Sequence, residues 1–329
     1  MEYDRQTKRR GEKRYQIIAA PACEDLALSI EASSPDRFRF HPTQWGKFAD
    51  GTDKIVVGGF SPHNLIAGEH VLMVASFHNN DVTLSQFQVM VMLLQSFVES
   101  LTIVLPYYPT GTMERVITEG EVATANTYAQ LFSALPSCGR PTRLILYDLH
   151  TLQNRFYLHG NTIASLKTTV PRLLSALREE KGDRKIDAVA FPDDGAAKRF
   201  KHMFDSQDYE IIVCGKVRNG DLREISVQDG HPDGRHIIIV DDLVQTGGTL
   251  YECGVALKKL GAASVSAFVA HAVFPKDAYL RFSRGGDRDV FESFYVTDSI
   301  PTTTSKLPKN DVFKVIPIMP QILHDLDSF

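Results

Sequence analysis

The segment of this chain richest in chemistry is His236-Ile-Ile-Ile-Val-Asp-Asp-Leu-Val-Gln-Thr-Gly-Gly-Thr249. A β-branched run leads to two acids, the acids to a turn of small residues from Gln245 to Thr249, and the turn to a helical pattern. Gly247 and Gly248 carry no Cβ, so the backbone there can approach a ligand closely. The amides that open the following helix offer unpaired donors and the positive end of a dipole to a phosphate. Hydroxyls of Thr246 and Thr249 add donors, and Asp241 and Asp242 stand where carboxylates can accept from the two hydroxyls of a ribose whose phosphate fills the turn. The arrangement describes a site for ribose 5-phosphate. An ordinary strand-to-helix turn would use some of the same residue types. The acid pair at this fixed distance behind a four-residue β-branched run favours the phosphate site.

Other residues could serve the same chemistry. His150 follows a β-branched strand pattern that ends in Asp148, and Asp193 and Asp194 precede a helical stretch near Gly195, where either could equally cap the helix. Lys216 and Arg218 lie one residue apart after a strand pattern, followed by Asn219 and Gly220. That composition predicts an exposed, mobile loop whose two cations can close over a polyphosphate, although two solvated charges would look the same. Phe48 and Asp50 combine a ring able to stack on a base with a carboxylate able to accept from an amino group.

These side chains need a scaffold, and the pattern from His70 onward supplies one. Short β-branched runs alternate with helical spacing, which predicts α/β architecture with mainly parallel sheets. In the first half, strands are expected at His70 to Ser76, Leu101 to Leu105 and Arg143 to Tyr147. Leu84, Phe87, Val91, Leu94 and Val98 predict a helical apolar stripe, and a second helix is expected from about Ala123 to Ala134. A second cycle opens with Pro171 at a helix start and places strands at Ala188 to Phe191, Glu210 to Lys216, His236 to Val240 and Ser264 to Ala270, with helices from Gly195 and Thr249. The similar grammar of the halves suggests two tandem domains: a basic tail over 1–14, a domain over 15–165, a second over 166–311, and a closing strand and helix over 312–329 that could pack on the first.

The cradle resembles the fingerprint of the phosphoribosyltransferase fold family. By itself it leaves two enzymes open, a base-salvage transferase that consumes phosphoribosyl diphosphate and a diphosphokinase that makes it. From about Phe48 to Pro301 the chain resembles the ribose-phosphate diphosphokinases, nearest to their plant-like second class. The matching pieces, in order, are Phe48-Ala-Asp-Gly51, Val104-Leu-Pro-Tyr-Tyr-Pro-Thr-Gly-Thr-Met-Glu-Arg115, Tyr147-Asp-Leu-His150, Ala190-Phe-Pro-Asp-Asp-Gly195, Lys216-Val-Arg218, the cradle and Val296-Thr-Asp-Ser-Ile-Pro301.

The resemblance implies two phosphoribosyltransferase-type domains and transfer of the β,γ-diphosphate of ATP to the anomeric hydroxyl of ribose 5-phosphate, a step of nucleotide biosynthesis. It implies Mg2+ at His150 and Asp193, with Asp148 a weaker candidate, and places His150 before the ATP phosphates. It also implies that Lys216 and Arg218 act on the transition state. Thr112, Met113 and Arg115 fall in the nucleotide-binding segment, and Phe48 and Asp50 contact adenine from a neighbouring subunit, so a homo-oligomer is expected. Thr52 stands where the first class has glutamate, and Thr112 and Met113 where it has arginine and glutamine, departures that touch nucleotide selectivity and phosphate activation. A non-catalytic paralogue that regulates an active synthase is the alternative, and the presence of His150, Asp193, Lys216 and Arg218 weighs against it.

The bulk composition agrees with a small substrate. At 329 residues, 43% hydrophobic and 23% charged, the chain exceeds the size of a single growing core. A formal net charge of -4 gives no general basic field for nucleic acid. Arg5, Lys8, Arg9, Arg10, Lys13 and Arg14 are diluted by Glu2, Asp4 and Glu12, which predicts a solvated tail. The four cysteines show no metal or redox spacing, and no apolar run is long enough for a membrane span or a signal peptide, so a cytoplasmic protein is expected, with an organelle address in the basic stretch as the alternative.

Overall fold

The computed structural model describes residues 13–113, 116–180, 185–205, 209–219, 222–309 and 311–328, with only the backbone described at 216–219 and 222–224. Most of the expected tail and Arg115 lie outside the described residues. The chain divides into two compact units, Met1–Lys167 and Thr168–Phe329.

The first unit contains β1 (Tyr15–Ala19), α1 (Glu24–Ser33), β2 (Phe38–Phe40), β3 (Gln44–Lys47), β4 (Asp53–Val56), β5 (His70–Val74), α2 (Asn80–Leu94), β6 (Ser100–Leu105), α3 (Thr124–Ser133), β7 (Thr142–Tyr147) and β8 (Thr162–Lys167). Among the described residues, a parallel sheet runs β2-β1-β5-β6-β7-β8, while β3 and β4 pair as a separate antiparallel hairpin. The central strands are covered on both faces, which is why they read as unbroken apolar runs.

Asn79 caps α2 by accepting from the Val82 amide at 3.0 Å. The face of α2 that meets the core carries Thr83, Gln86, Phe87, Met90, Leu93 and Leu94. Leu84 is exposed and Val98 lies beyond the helix, so the buried stripe is rotated from the expected one. The rotation brings in a polar residue. Gln86 accepts from the Ser76 amide at 2.9 Å and donates to its carbonyl at 2.7 Å, satisfying the backbone just past β5.

The second unit holds α4 (Val170–Glu179), β9 (Ala188–Phe191), α5 (Asp194–Phe200), β10 (Glu210–Asn219), β11 (Leu222–Asp229), β12 (His236–Val244), α6 (Gly248–Lys259), β13 (Ser264–Ala272), β14 (Phe294–Thr297), α7 (Pro301–Thr304), β15 (Phe313–Ile316) and α8 (Met319–Asp327). Its sheet runs β11-β10-β9-β12-β13-β14-β15 and is parallel except for the β10–β11 pair. The closing strand β15 pairs with β14 and so extends the second sheet.

The chain leaves β9 toward β10 on one side and returns to β12 on the other. The switch in strand order therefore falls between β9 and β12, and open α/β sheets leave a crevice for ligands at the carboxyl ends of such strands. Apolar residues on both faces of this sheet, among them Ile237 to Val240 of β12 and Phe268 of β13, fix the strands that form the crevice.

Candidate active site

The carboxyl end of β12 delivers the cradle into that crevice. Asp241, Gln245, Thr246, Gly247, Gly248 and Thr249 line one cavity of about 440 Å³, together with Ile225 of β11. Gly247 precedes α6 in a left-handed conformation, with φ of 69°, and packs against Phe282, so that a Cβ there would lie 2.3 Å from the ring. Gly248 has nothing within 4 Å of its missing Cβ. Its face is open to the cavity, which is also lined by Thr249 and Leu250 in the first turn of a twelve-residue helix.

The two acids of the motif separate. Asp241 lines the cavity, whereas Asp242 is buried and pairs with Arg199 of α5 at 3.3 Å. Adjacent residues of a strand face opposite sides, so both carboxylates cannot point into one pocket from a regular β12. Of the two acids expected to meet the sugar, the structure places Asp241 at the cavity and Asp242 against Arg199. Asp242 instead ties β12 to α5. That period-two alternation was available in the sequence, but Arg199, 43 residues away, carried no local signal.

Asp193 lies beyond β9, which pairs with β12 up to Ala190 opposite Ile239. Its Oδ1 accepts from the Ala196 amide at 2.9 Å and caps α5, and the carboxylate is exposed. The charges of Asp241 and Asp193 both act on Cys253 of α6, whose thiol is pushed well above its ordinary value, first by its hydrogen bond to Cys214 and then by burial. Cys253 donates to the Cys214 Sγ at 3.4 Å, which lowers the Cys214 thiol.

Lys216 and Arg218 belong to β10, not to a loop. In the antiparallel pair with β11, Lys216 stands opposite Ile225 and Arg218 opposite Arg223. Their side chains lie outside the description. Since Ile225 lines the cavity, the backbone of this hairpin runs along the cradle.

In the first unit, Thr112 and Met113 follow β6 and are exposed, with the Met113 amide donating to the Thr110 carbonyl at 2.7 Å. His150 follows β7, is exposed, and stands beside Gly111, whose missing Cβ would lie 3.7 Å from the His150 Cβ. Asp148 is 1% exposed and adopts φ of 39°, a conformation that costs an L-residue. Among the described residues no group of three or more His, Cys, Asp or Glu side chains forms a preformed metal cluster.

Phe48 and Asp50 occupy the tip of the β3–β4 hairpin. Phe48 is 52% exposed, with the Lys54 Nζ 5.5 Å from its ring centre. Asp50 accepts from the Thr52 hydroxyl at 2.6 Å and amide at 2.9 Å, and these bonds hold its carboxyl below the usual range. The aspartate shapes the tip, and the ring stands out from it.

Residues 161–300 match the phosphoribosyl transferase domain family. Ribose-phosphate pyrophosphokinase 4 of Oryza sativa subsp. japonica is 42% identical over 311 residues, 93% of this chain and 94% of the relative. Ribose-phosphate pyrophosphokinase 3, chloroplastic, of Arabidopsis thaliana is 40% identical, covering 93% of this chain and 74% of that protein. The crystal structure of phosphoribosylpyrophosphate synthetase from Mycobacterium smegmatis superposes with a TM-score of 0.77 at 21% identity, over 96% of this chain and 98% of that one, and shows the same fold.

The switch-point crevice and the match over residues 161–300 define the class of domain that carries the cradle, a phosphoribosyl transferase domain. Within that class, the chain belongs to the ribose-phosphate pyrophosphokinase family.

Proposed function

We propose that the protein transfers the β,γ-diphosphate of ATP to the anomeric oxygen of ribose 5-phosphate, giving phosphoribosyl diphosphate and AMP. The observation that carries this reading is the cavity of about 440 Å³ lined by Asp241 and the Gln245 to Thr249 turn, in a chain 42% identical to a ribose-phosphate pyrophosphokinase.

In this reading the phosphate of ribose 5-phosphate rests on the turn and on the N-terminus of α6, and Asp241 accepts from the sugar hydroxyls. The anomeric oxygen attacks the β-phosphorus in line, the bond from that phosphorus to the α,β-bridging oxygen breaks, and the hydroxyl proton passes to solvent. Lys216 and Arg218 stabilise charge on the transferred group and the bridging oxygen. Phe48 and Asp50, exposed on their hairpin, bind adenine for a neighbouring copy of the chain, and Thr112, Met113, Arg115 and His150 serve the rest of the nucleotide.

Magnesium suits the donors present. The ion takes few protein ligands and prefers oxygen, and Asp193 offers an exposed carboxylate of which one oxygen caps α5. Asp193 and His150 are the residues assigned to it, and when bound it would neutralise phosphate charge. A cytoplasmic location belongs to the same reading. Among the described residues no helix is long and apolar enough to cross a membrane.

The test is to incubate the purified protein with ATP, magnesium and ribose 5-phosphate and follow AMP and phosphoribosyl diphosphate. Formation of both supports the reading. Base-dependent consumption of phosphoribosyl diphosphate without ATP would replace it with salvage, and sugar-phosphate binding without AMP would leave a non-catalytic paralogue.

A further inference from the structure

The cradle is held from behind by a residue 42 positions further along the chain. Arg288 donates from Nη1 to the Thr246 carbonyl at 2.6 Å. Its guanidinium carbon lies 5.5 Å from the ring centre of Tyr251, on the first turn of α6, and 5.8 Å from that of Phe282. Phe282 is the same buried ring against which Gly247 turns. One side chain therefore touches the turn, the helix it opens and the floor beneath both.

The loop that presents Arg288 is itself braced. Arg281 donates from Nε to both oxygens of Asp287 at 3.1 Å, and the Arg288 amide donates to the Arg281 carbonyl at 2.8 Å. Arg284 bonds Asp289 at 3.1 Å and the carbonyls of Phe291 and Glu292 at 2.9 and 2.7 Å. The Arg288 backbone is thus anchored without help from a ligand.

The peptide between Thr246 and Gly247 explains what the contact achieves. In a trans peptide the carbonyl and the following N–H point in opposite directions. Fixing the Thr246 carbonyl on Arg288 therefore turns the Gly247 N–H the other way, at a residue that lines the cavity. The guanidinium also leaves a permanent positive charge next to the turn.

We propose that Arg288 is a positioning residue for the phosphate of the pentose substrate, orienting the Thr246–Gly247 peptide as an anion donor; this rests on the sugar-phosphate reading of the cradle. It acts through the turn, so it should govern ribose 5-phosphate affinity and leave the chemical step alone.

The experiment compares wild type, Arg288→Met and Arg288→Lys by calorimetry with ribose 5-phosphate and by steady-state kinetics. Methionine keeps contact with the two rings but has neither charge nor donors, and lysine restores charge and one contact. Loss of a hydrogen bond from a charged donor should weaken ribose 5-phosphate binding by about tenfold or more in Arg288→Met. The KM for ribose 5-phosphate should rise in step, with kcat at saturation and the KM for ATP little changed, and Arg288→Lys should fall between. Unaltered ribose 5-phosphate affinity in Arg288→Met would overturn the role. An equal loss of ATP affinity, or a fall in kcat at unchanged KM, would overturn it too. If Arg288→Met fails to fold, Arg288→Lys carries the same comparison, because it keeps the charge but not the guanidinium fork. Wild-type protein that binds no ribose 5-phosphate would overturn the reading of the cradle itself, an outcome distinct from loss of the Arg288 role alone.

Discussion

Gly247 and Gly248 are neighbours in sequence with opposite reasons for being glycine. At Gly247 a methyl group would meet the Phe282 ring at 2.3 Å in a left-handed backbone with φ of 69°. The left-handed conformation costs an L-residue about 1–2 kcal/mol, and overpacking adds about 1–3 kcal/mol. Gly247→Ala should therefore lower the melting temperature clearly. Gly248→Ala meets nothing within 4 Å, so the protein should melt normally while its methyl occupies space assigned to the phosphate. Calorimetry should then show ribose 5-phosphate affinity lost in a fully folded variant. Normal affinity in Gly248→Ala would place the ligand elsewhere. Asp242 teaches the same lesson about neighbours, since one residue of displacement along β12 moves its carboxylate from the cavity to Arg199.

At the scale of elements, three histidines in or beside the first sheet should make its stability sensitive to acid. His41 follows β2 and bonds Gln16 of β1 at 2.6 Å, His70 opens β5 and bonds Ser100 of β6 at 2.7 Å, and His78 follows β5. Burial is the largest cause holding each below its ordinary value of 6.5, with the Arg39 charge assisting at His41 and Lys13 at His70. A depressed folded value means that the folded state prefers the neutral ring. The stabilisation is present above 6.5 and is lost as the pH falls through the lower folded values. Melting temperature should accordingly be flat near neutrality and fall on acidification, and His41→Gln should make the fall shallower. A profile unchanged by that substitution would remove His41 from the effect.

At the scale of the whole molecule, the proposal that adenine is bound by a neighbouring copy of the chain can be tested directly. Phe48 stands exposed on a hairpin of the first unit, while Lys216 belongs to a strand of the second. Phe48→Ala should raise the KM for ATP. Lys216→Ala should cost about a hundredfold to a thousandfold in kcat, as removal of a transition-state donor does, with ribose 5-phosphate affinity kept. If adenine is bound by a neighbouring copy, co-assembly of the two variants creates some sites with both residues intact. Activity should rise above the sum of the separate variants. No gain on mixing, in oligomers shown to contain both chains, would return Phe48 to its own chain or to a structural role.

What the sequence determined by itself is what lies contiguous along it. The strand, acids, glycines and helix start of the cradle are consecutive residues, and the buried strands β5, β6, β7, β9, β12 and β13 show as apolar runs because both faces of each are covered. Tertiary structure decided what depends on partners distant in the chain. The charged stretch from Lys216 to Asn219 looks like a loop until β11 supplies its hydrogen bonds, β8 is an edge strand with a mostly half-exposed pattern, and the side of α2 that enters the core is set by the bonds of Gln86 to Ser76. Arg199 and Arg288 have no local signature, since each bonds a residue more than 40 positions away. Local composition fixes which backbone a segment prefers; which face it turns inward, and what holds it there, is set by the elements packed against it.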